Sequence, residues 1–301
     1  MIEPNNDWLD LIKFLNSNSI SYETNVDCRK LTPLYVGNLA PLLIKAQTLE
    51  QLQKILDELR LQGLNFIVLG RGSNTFFKSK VVSKPIITLG SEFKKTEYLG
   101  HNKFRIWAGV PFDQISRQLS LDGWSGLEFA VGIPGTAGGA CKMNAGAHGA
   151  EFADIISDVG AMVDSRLNLI KPAFGYRSSS FQPQDIVCFV DVILKQKDKS
   201  DIIRQMQANL DYRRNTQPLQ APSLGSVFKN TPREYAAKLL DLAGLKGFSY
   251  GNAEFSSKHS NWIINPRKKA SSDEINFLLE FARDKVKKLF SVDLELEWFV
   301  I

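Results

Sequence analysis

Between residues 123 and 149 the chain reads GWSGLEFAVGIPGTAGGACKMNAGAHG, which holds eight of its 21 glycines. That is roughly four times the ordinary glycine usage of about 7%. Glycine lacks the Cβ that would collide where backbone turns sharply or presses against a ligand. With Thr136 and Asn144 set among apolar residues, the segment reads as a backbone cradle for a large anionic group. A second glycine turn, Gly70-Arg71-Gly72-Ser73-Asn74, follows the short apolar run NFIVL. Successive backbone N–H groups in such a turn form an anion nest without any helix. The two turns, residues 70–74 and 132–139, are suited to hold a pyrophosphate between them.

Other phosphate-binding schemes fit less well. Thr75 stands where the third glycine of GxGxxG belongs, and Phe76, Phe77, Lys78 and Ser79 do not open a helix. A pyrophosphate seated on a helix N-terminus is therefore not supported at this turn. The GxxxxGK[ST] pattern is absent. His101, His148 and His259 lie too far apart for a zinc motif, so no metal is expected. Cys28, Cys141 and Cys188 show no CxxC spacing, which fits reduced thiols, with Cys141 as small-residue packing. The formal net charge is +5, but the longest basic run is only Arg267-Lys268-Lys269, so nucleic-acid binding is not expected. No apolar run reaches the roughly 18 residues of a membrane span. The first ten residues, MIEPNNDWLD, do not resemble a secretory signal. A cytoplasmic protein without membrane insertion is expected.

The elements that must position these loops can be sketched from periodicity. Residues 48–63 read as a helix with a Thr48/Gln51 capping box, an apolar face of Leu49, Leu52, Ile55, Leu56 and Leu59, and Gly63 as its stop. Strands are predicted at 65–69, 85–89 and 104–108, and a helix at 112–121 runs into the cradle. Beyond it come strands near 158–163 and 186–194, then the polar segment KQKDKSD. A domain boundary is placed there, at about residue 197, with lobes of about 1–92 and 93–197 before it and a domain of 198–301 after it. The C-terminal part reads as a helix from about Asp201, a loop, a helix at 233–242, a strand, a helix at 272–290 capped by Ser271 and Glu274, and a strand. Without a regular βαβ cadence the class is α+β.

Six ordered segments resemble the UDP-N-acetylenolpyruvoylglucosamine reductase family, in its compact subtype, over roughly residues 30–301. They are LGRGSN (69–74), GLEFAVGIPGTAGGACKMNAGAHGAE (126–151), FGYRSSSFQ (174–182), PSLGSVFKN (222–230), AGLKGFSYGNAEFSSKHSNWIIN (243–265) and LELEWF (294–299). The resemblance implies an FAD-binding fold of the vanillyl-alcohol-oxidase (PCMH) type, two α+β lobes at 1–197, plus a C-terminal substrate-binding domain. It implies NADPH-dependent reduction of the enolpyruvyl ether of UDP-N-acetylglucosamine to UDP-N-acetylmuramate in peptidoglycan synthesis, with non-covalent FAD. The alternative is another FAD oxidoreductase of this fold acting on an alcohol or hydroxy acid. A monomer is expected.

Residue by residue, the resemblance gives FAD to Gly70, Arg71, Gly72, Ser73, Asn74, Gly132, Ile133, Pro134, Gly135, Thr136, Gly138, Gly139, Asn144 and Gly146. Flavin N5 would supply hydride and Ser226 the proton, a weak acid suited to a carbanion-like partner. Arg177 would pair with the substrate carboxylate, its planar fork offsetting the developing charge. Glu297, selected over Glu295 by its spacing from Leu294, would polarise the enolate or donate a hydrogen bond to it. Tyr176, Lys229 and Asn230 would bind substrate. Arg213, next to Arg214, either meets the UDP phosphates or ends a helix, where basic residues are favoured. His148 stands where the family commonly has tyrosine. After Glu297 the family usually continues Val-Arg, whereas Trp298-Phe299 follow here.

Overall fold

The computed structural model describes residues 8–78 and 82–301. Residues 1–7 of the N-terminal stretch, and Ser79, lie outside them. The chain forms two compact units, one of Met1–Val26, Ala40–Arg71 and Ser83–Asp211, the other of Asp27–Leu39, Gly72–Val82 and Tyr212–Ile301.

The first unit is built around two larger sheets, of four and five strands. In the smaller, Leu39–Ala46 and Ile67–Val68 both pair in parallel with Ile86–Leu89. The Leu49–Leu61 helix covers it with Leu52, Ile55, Leu56 and Leu59, as their spacing predicts. Thr48 caps this helix by accepting from the Gln51 N–H, but the reciprocal half of the expected box is redirected, because Gln51 Oε1 accepts from Gln47 N–H instead. The larger sheet has five antiparallel strands in the order Arg166–Ile170, Ile156–Val163, Ile186–Ile193, Lys103–Trp107, Thr96–Gly100. Its central strand, Ile186–Ile193, is buried along nearly its whole length. Antiparallel pairing needs no crossover helices, which is the physical basis of the α+β class. The helices Phe112–Leu121 and Ala137–Lys142 pack into the same core.

The second unit is built on a four-stranded antiparallel sheet ordered Ser223–Ser226, Trp262–Ile264, Ala253–Phe255, Ser249–Tyr250. Sequence periodicity shows only one strand before the last helix, because strands of two to four residues are too short to display alternation. The Ser272–Phe290 helix has the expected box, Ser271 and Glu274 each accepting from the other's N–H. The preceding helix is shorter than expected, Ala236–Leu242, since Thr231 Oγ1 takes the N–H groups of Arg233 and Glu234 into a turn. Leu34, Val36 and Phe76 join the core of this unit, and Phe299–Val300 pairs in parallel with Thr75–Phe76. No helix among the described residues is long and apolar enough to cross a membrane. No group of three metal-ligating side chains occurs among them either.

Candidate active site

In the first unit the two glycine turns meet. A Cβ on Gly70 would lie 2.7 Å from Thr136 Oγ1, so the residue-70 end of the first turn presses on the middle of the second. Gly138 is equally tight, its Cβ position 2.7 Å from the Ala108 Cβ, and Gly132 and Gly135 have φ of 75° and 130°. Thr136 caps the short Ala137–Lys142 helix by accepting from Gly139 N–H. On the other side Pro134 and Gly139 are exposed, and the Cβ position of Gly139 meets nothing closer than Thr136 Oγ1 at 3.6 Å. A cradle walled by protein at Gly70 and Gly138 and open at Pro134 and Gly139 fits a flat, pyrophosphate-bearing group such as FAD. Arg71 reaches Asp113 across 3.3 Å. Gly72, Ser73 and Asn74 belong to the second unit, where Gly72, at φ 63°, sits against the Leu31 carbonyl.

Arg177 also lies in the first unit. Phe174–Gly175 and Ser178–Ser179 form a hairpin, and Tyr176 and Arg177 make its two-residue turn. Arg177 has φ of 50°, a left-handed conformation uncommon outside glycine. Its Nη2 donates to the Gly146 carbonyl, and its guanidinium lies 5.1 Å from the centre of the half-exposed Tyr176 ring. The end of the cradle holds this hairpin through side chains. Asn144, fully buried, donates from Nδ2 to Gly175 O at 3.0 Å and accepts the Ala153 N–H on Oδ1 at 3.0 Å. Ser179 Oγ donates to the Lys142 carbonyl, and Lys142 Nζ donates to the carbonyls of Gln182, Pro183 and Asp185. Desolvation lowers the Lys142 pKa, with Asp185 opposing it. Cys141 beside it is buried, and desolvation pushes its thiol up to about 12. An inert packing thiol results.

In the second unit Ser226 and Glu297 are brought onto one ladder. The pairing of Ser223 with Ile264 and of Ser226 with Trp262 leaves an extra residue on the serine strand, a bulge with Gly225 at φ 78°. Past Ser226 the chain pairs with the C-terminal segment. Glu297 N–H donates to Val227 O, Lys229 N–H donates to Glu295 O, and Phe228 opposes Leu296. Glu297 is also held by Asn74, whose Nδ2 donates to its carbonyl at 3.0 Å. The segment is extended rather than a full strand, with Phe299–Val300 its only strand residues. Glu295 is exposed and 3.6 Å from Lys229, whereas Glu297 is half-buried.

The expected substrate residues are less alike. Asn230 Oδ1 accepts the Ala236 N–H and so caps a helix. Arg213 is 7% exposed, and its Nε has no hydrogen-bond partner; desolvation lowers its pKa. Gln217 Oε1, one turn further along, is likewise buried and without a partner. Buried unpaired donors and acceptors are rare in folded proteins, and a ligand group is one way to satisfy them.

Sequence reading missed one residue of this neighbourhood. Asn261, 3% exposed, grips the main chain of Phe228 with both ends of its amide, Nδ2 to the carbonyl at 2.8 Å and Oδ1 to the N–H at 3.0 Å. The signal was a polar residue opening the apolar run Trp262-Ile263-Ile264.

Comparisons with known proteins bear on both units. A family model described as "FAD binding domain" matches residues 40–165. One described as "UDP-N-acetylenolpyruvoylglucosamine reductase, C-terminal domain" matches residues 217–301. The UDP-N-acetylenolpyruvoylglucosamine reductase of Bacillus subtilis (strain 168) is 33% identical over 276 residues, 90% of each chain. That of Chlamydia felis (strain Fe/C-56) is 36% identical over 280 residues, 90% of this chain and 92% of the relative. The crystal structure of UDP-N-acetylenolpyruvylglucosamine reductase (MurB) from Thermus caldophilus aligns with a TM-score of 0.80 at 32% identity, covering 93% of this chain and 98% of that one.

Proposed function

Because the chain belongs to the UDP-N-acetylenolpyruvoylglucosamine reductase family, we propose that Arg177, Ser226 and Glu297 are the side chains with which it carries out that reaction. The enzyme reduces the enolpyruvyl ether of UDP-N-acetylglucosamine to UDP-N-acetylmuramate, a peptidoglycan precursor, using NADPH. FAD, when bound, would supply the hydride-transfer chemistry between NADPH and the enolpyruvyl double bond. The residues that would hold it are those of the turns at 70–74 and 132–139, with Asn144 and Gly146.

The chain itself must do three things: orient the substrate carboxylate, stabilise the charge that develops next to it, and deliver a proton. The Arg177 guanidinium suits the first, since its planar fork can meet a carboxylate with two parallel hydrogen bonds. Its positive charge also offsets the enolate-like charge. Ser226 Oγ–H donates the proton, and a positioned donor contributes about 10²–10⁴ in rate. Glu297 completes the site as polariser or acid partner. Tyr176, Lys229 and Asn230 contact the substrate, and the unpaired Nε of buried Arg213 supports its assignment to the UDP phosphates.

One observation carries this reading: the bond from Glu297 N–H to Val227 O puts two positions far apart in sequence onto neighbouring rungs, with Ser226 next in line. The test is an anaerobic titration of the purified protein. A flavin band bleached by NADPH and restored by the enolpyruvyl substrate is expected; a colourless protein that takes up no added FAD overturns the reading. In the same reading residues 1–197 bind FAD and 198–301 the substrate, and the enzyme is a cytoplasmic monomer. A dimer mass in sedimentation equilibrium would remove that last element alone.

A further inference from the structure

We propose that Asn261 is a positioning residue for the Ser226 hydroxyl. The inference rests on the reading of Ser226 as proton donor. It starts from how the main chain on either side of Ser226 is held. On the N-terminal side lies Gly225, at φ 78° within a bulge, with nothing within 4 Å of its Cβ position. A residue with no side chain next to open space does little to fix the direction of its neighbour. On the C-terminal side every polar main-chain group of Val227 and Phe228 is engaged. Val227 N–H donates to Asn261 O at 2.9 Å, and Val227 O accepts from Glu297 N–H at 2.8 Å. Phe228 N–H and C=O are both taken by the Asn261 amide.

Asn261 thus stands in for a strand. Ladder pairing of the Trp262–Ile264 strand with the serine strand ends at Ser226 and Trp262. From that point one residue supplies the donors and acceptors that a further pair of strand residues would have supplied. Its own placement is fixed, because Asn261 N–H donates to His259 Nδ1 at 3.3 Å and Ser260 Oγ donates to Ala237 O. Among the partners of the 227–228 main chain, Asn261 is the one that acts through a side chain. It is therefore the one a substitution can remove while the backbone ladder to Glu297 stays in place. Releasing it frees the N–H and C=O of Phe228, two residues past Ser226, while Val227 N–H keeps its bond to the Asn261 carbonyl, so the segment that carries the hydroxyl is held on one side fewer and can shift. A displacement of about 1 Å at a reacting group can cost roughly 10²-fold in rate.

The test uses the FAD-loaded enzyme and follows its two half-reactions separately, flavin reduction by NADPH and flavin reoxidation by the enolpyruvyl substrate. Asn261→Ala is expected to slow reoxidation by roughly 10–100-fold, with flavin reduction near wild type and substrate KM little changed. In a Ser226→Ala background the same substitution is expected to change reoxidation by less than about twofold, since residues acting as a unit are non-additive. Full additivity in the double variant, or equal losses in both half-reactions, overturns the proposal and leaves Asn261 a structural residue. Should Asn261→Ala fail to retain FAD, the near-isosteric Asn261→Asp goes through the same cycle; it keeps an acceptor for Phe228 N–H and lacks the donor to Phe228 O. Loss of fold in both variants also overturns it. If Ser226→Ala by itself reoxidises at the wild-type rate, the proton-donor reading falls, and this inference with it. If Ser226→Ala is slow and Asn261→Ala is not, only this inference falls.

Discussion

Arg177 stands at the tip of a two-residue hairpin, whereas Ser226 ends a bulged strand inside a four-stranded sheet. The hairpin is tied to the end of the glycine cradle by side chains reaching carbonyls: Asn144 to Gly175, Ser179 to Lys142, and Arg177 itself to Gly146. The serine strand is held mainly by main-chain ladders, to Trp262 on one edge and to Glu297 on the other. In the role proposed for Arg177 the fork must meet a carboxylate in fixed geometry, and three side-chain ties at the base and tip of the hairpin supply that placement. The role proposed for Ser226 needs a donor within hydrogen-bond reach of one carbon, and a position on a sheet strand suits that requirement.

The most severe way to probe that contrast is at the proposed proton donor. Ser226→Ala is expected to slow flavin reoxidation by about 10²–10⁴ while flavin reduction by NADPH stays nearly intact, as stopped-flow absorbance would record. Equal loss in both would make Ser226 structural. Next is the hairpin's tie. Asn144→Ala leaves Gly175 O and Ala153 N–H without their partner, each costing about 1–3 kcal/mol. A lower denaturation midpoint with raised substrate KM is expected; an unchanged KM would mean that Arg177 is placed by other contacts.

The glycines of the two regions answer differently to substitution. At Gly225 the obstacle is conformation, since φ is 78° and the space is open. Gly225→Ala should therefore cost about 1–2 kcal/mol, and Gly225→Asn should recover part of it, because asparagine tolerates the left-handed region. At Gly138 the obstacle is space, with Ala108 Cβ 2.7 Å from the new methyl. Gly138→Ala should cost about 1–3 kcal/mol, and asparagine should be worse. Chemical denaturation of the four variants would show the opposite orders.

The smallest effect expected is a pH dependence in the second unit. Burial lowers the pKa of His259 below its ordinary 6.5. As pH falls, the unfolded imidazole takes its proton first, so stability is full above about pH 6.5 and is lost as pH drops through the folded pKa. Titration of the His259 ring by NMR would locate that window, and a folded pKa above 6.5 would reverse the sign.

Much of the candidate site was legible because its residues carry local signals. Gly138 and Gly70 betray close approaches, Ser271 and Glu274 a helix start, and Ser226, Arg177 and Glu297 lie in segments of recognisable order. Asn261 was not legible, because a buried asparagine is indistinguishable in sequence from a surface one until its partner is known, and Phe228 is far away along the chain. The same holds for Asn144: the cradle pattern marks it, but its task of tying down the Arg177 hairpin depends on where Gly175 folds back.

The sequence by itself determined the α+β class, the longer helices with their caps and the two glycine turns, since these depend on neighbours a few residues apart, and its ordered motifs supplied the candidates Arg177, Ser226 and Glu297 through their resemblance to the family. Only the tertiary structure decided that residues 27–39 and 72–82 pack with 212–301, that the turns touch at Gly70 and Thr136, and that Ser226 and Glu297 share a ladder. Those facts arise from pairing between distant segments. The energy of such pairing comes from burial and from satisfied main-chain hydrogen bonds, neither of which leaves a local mark on the residues that supply it.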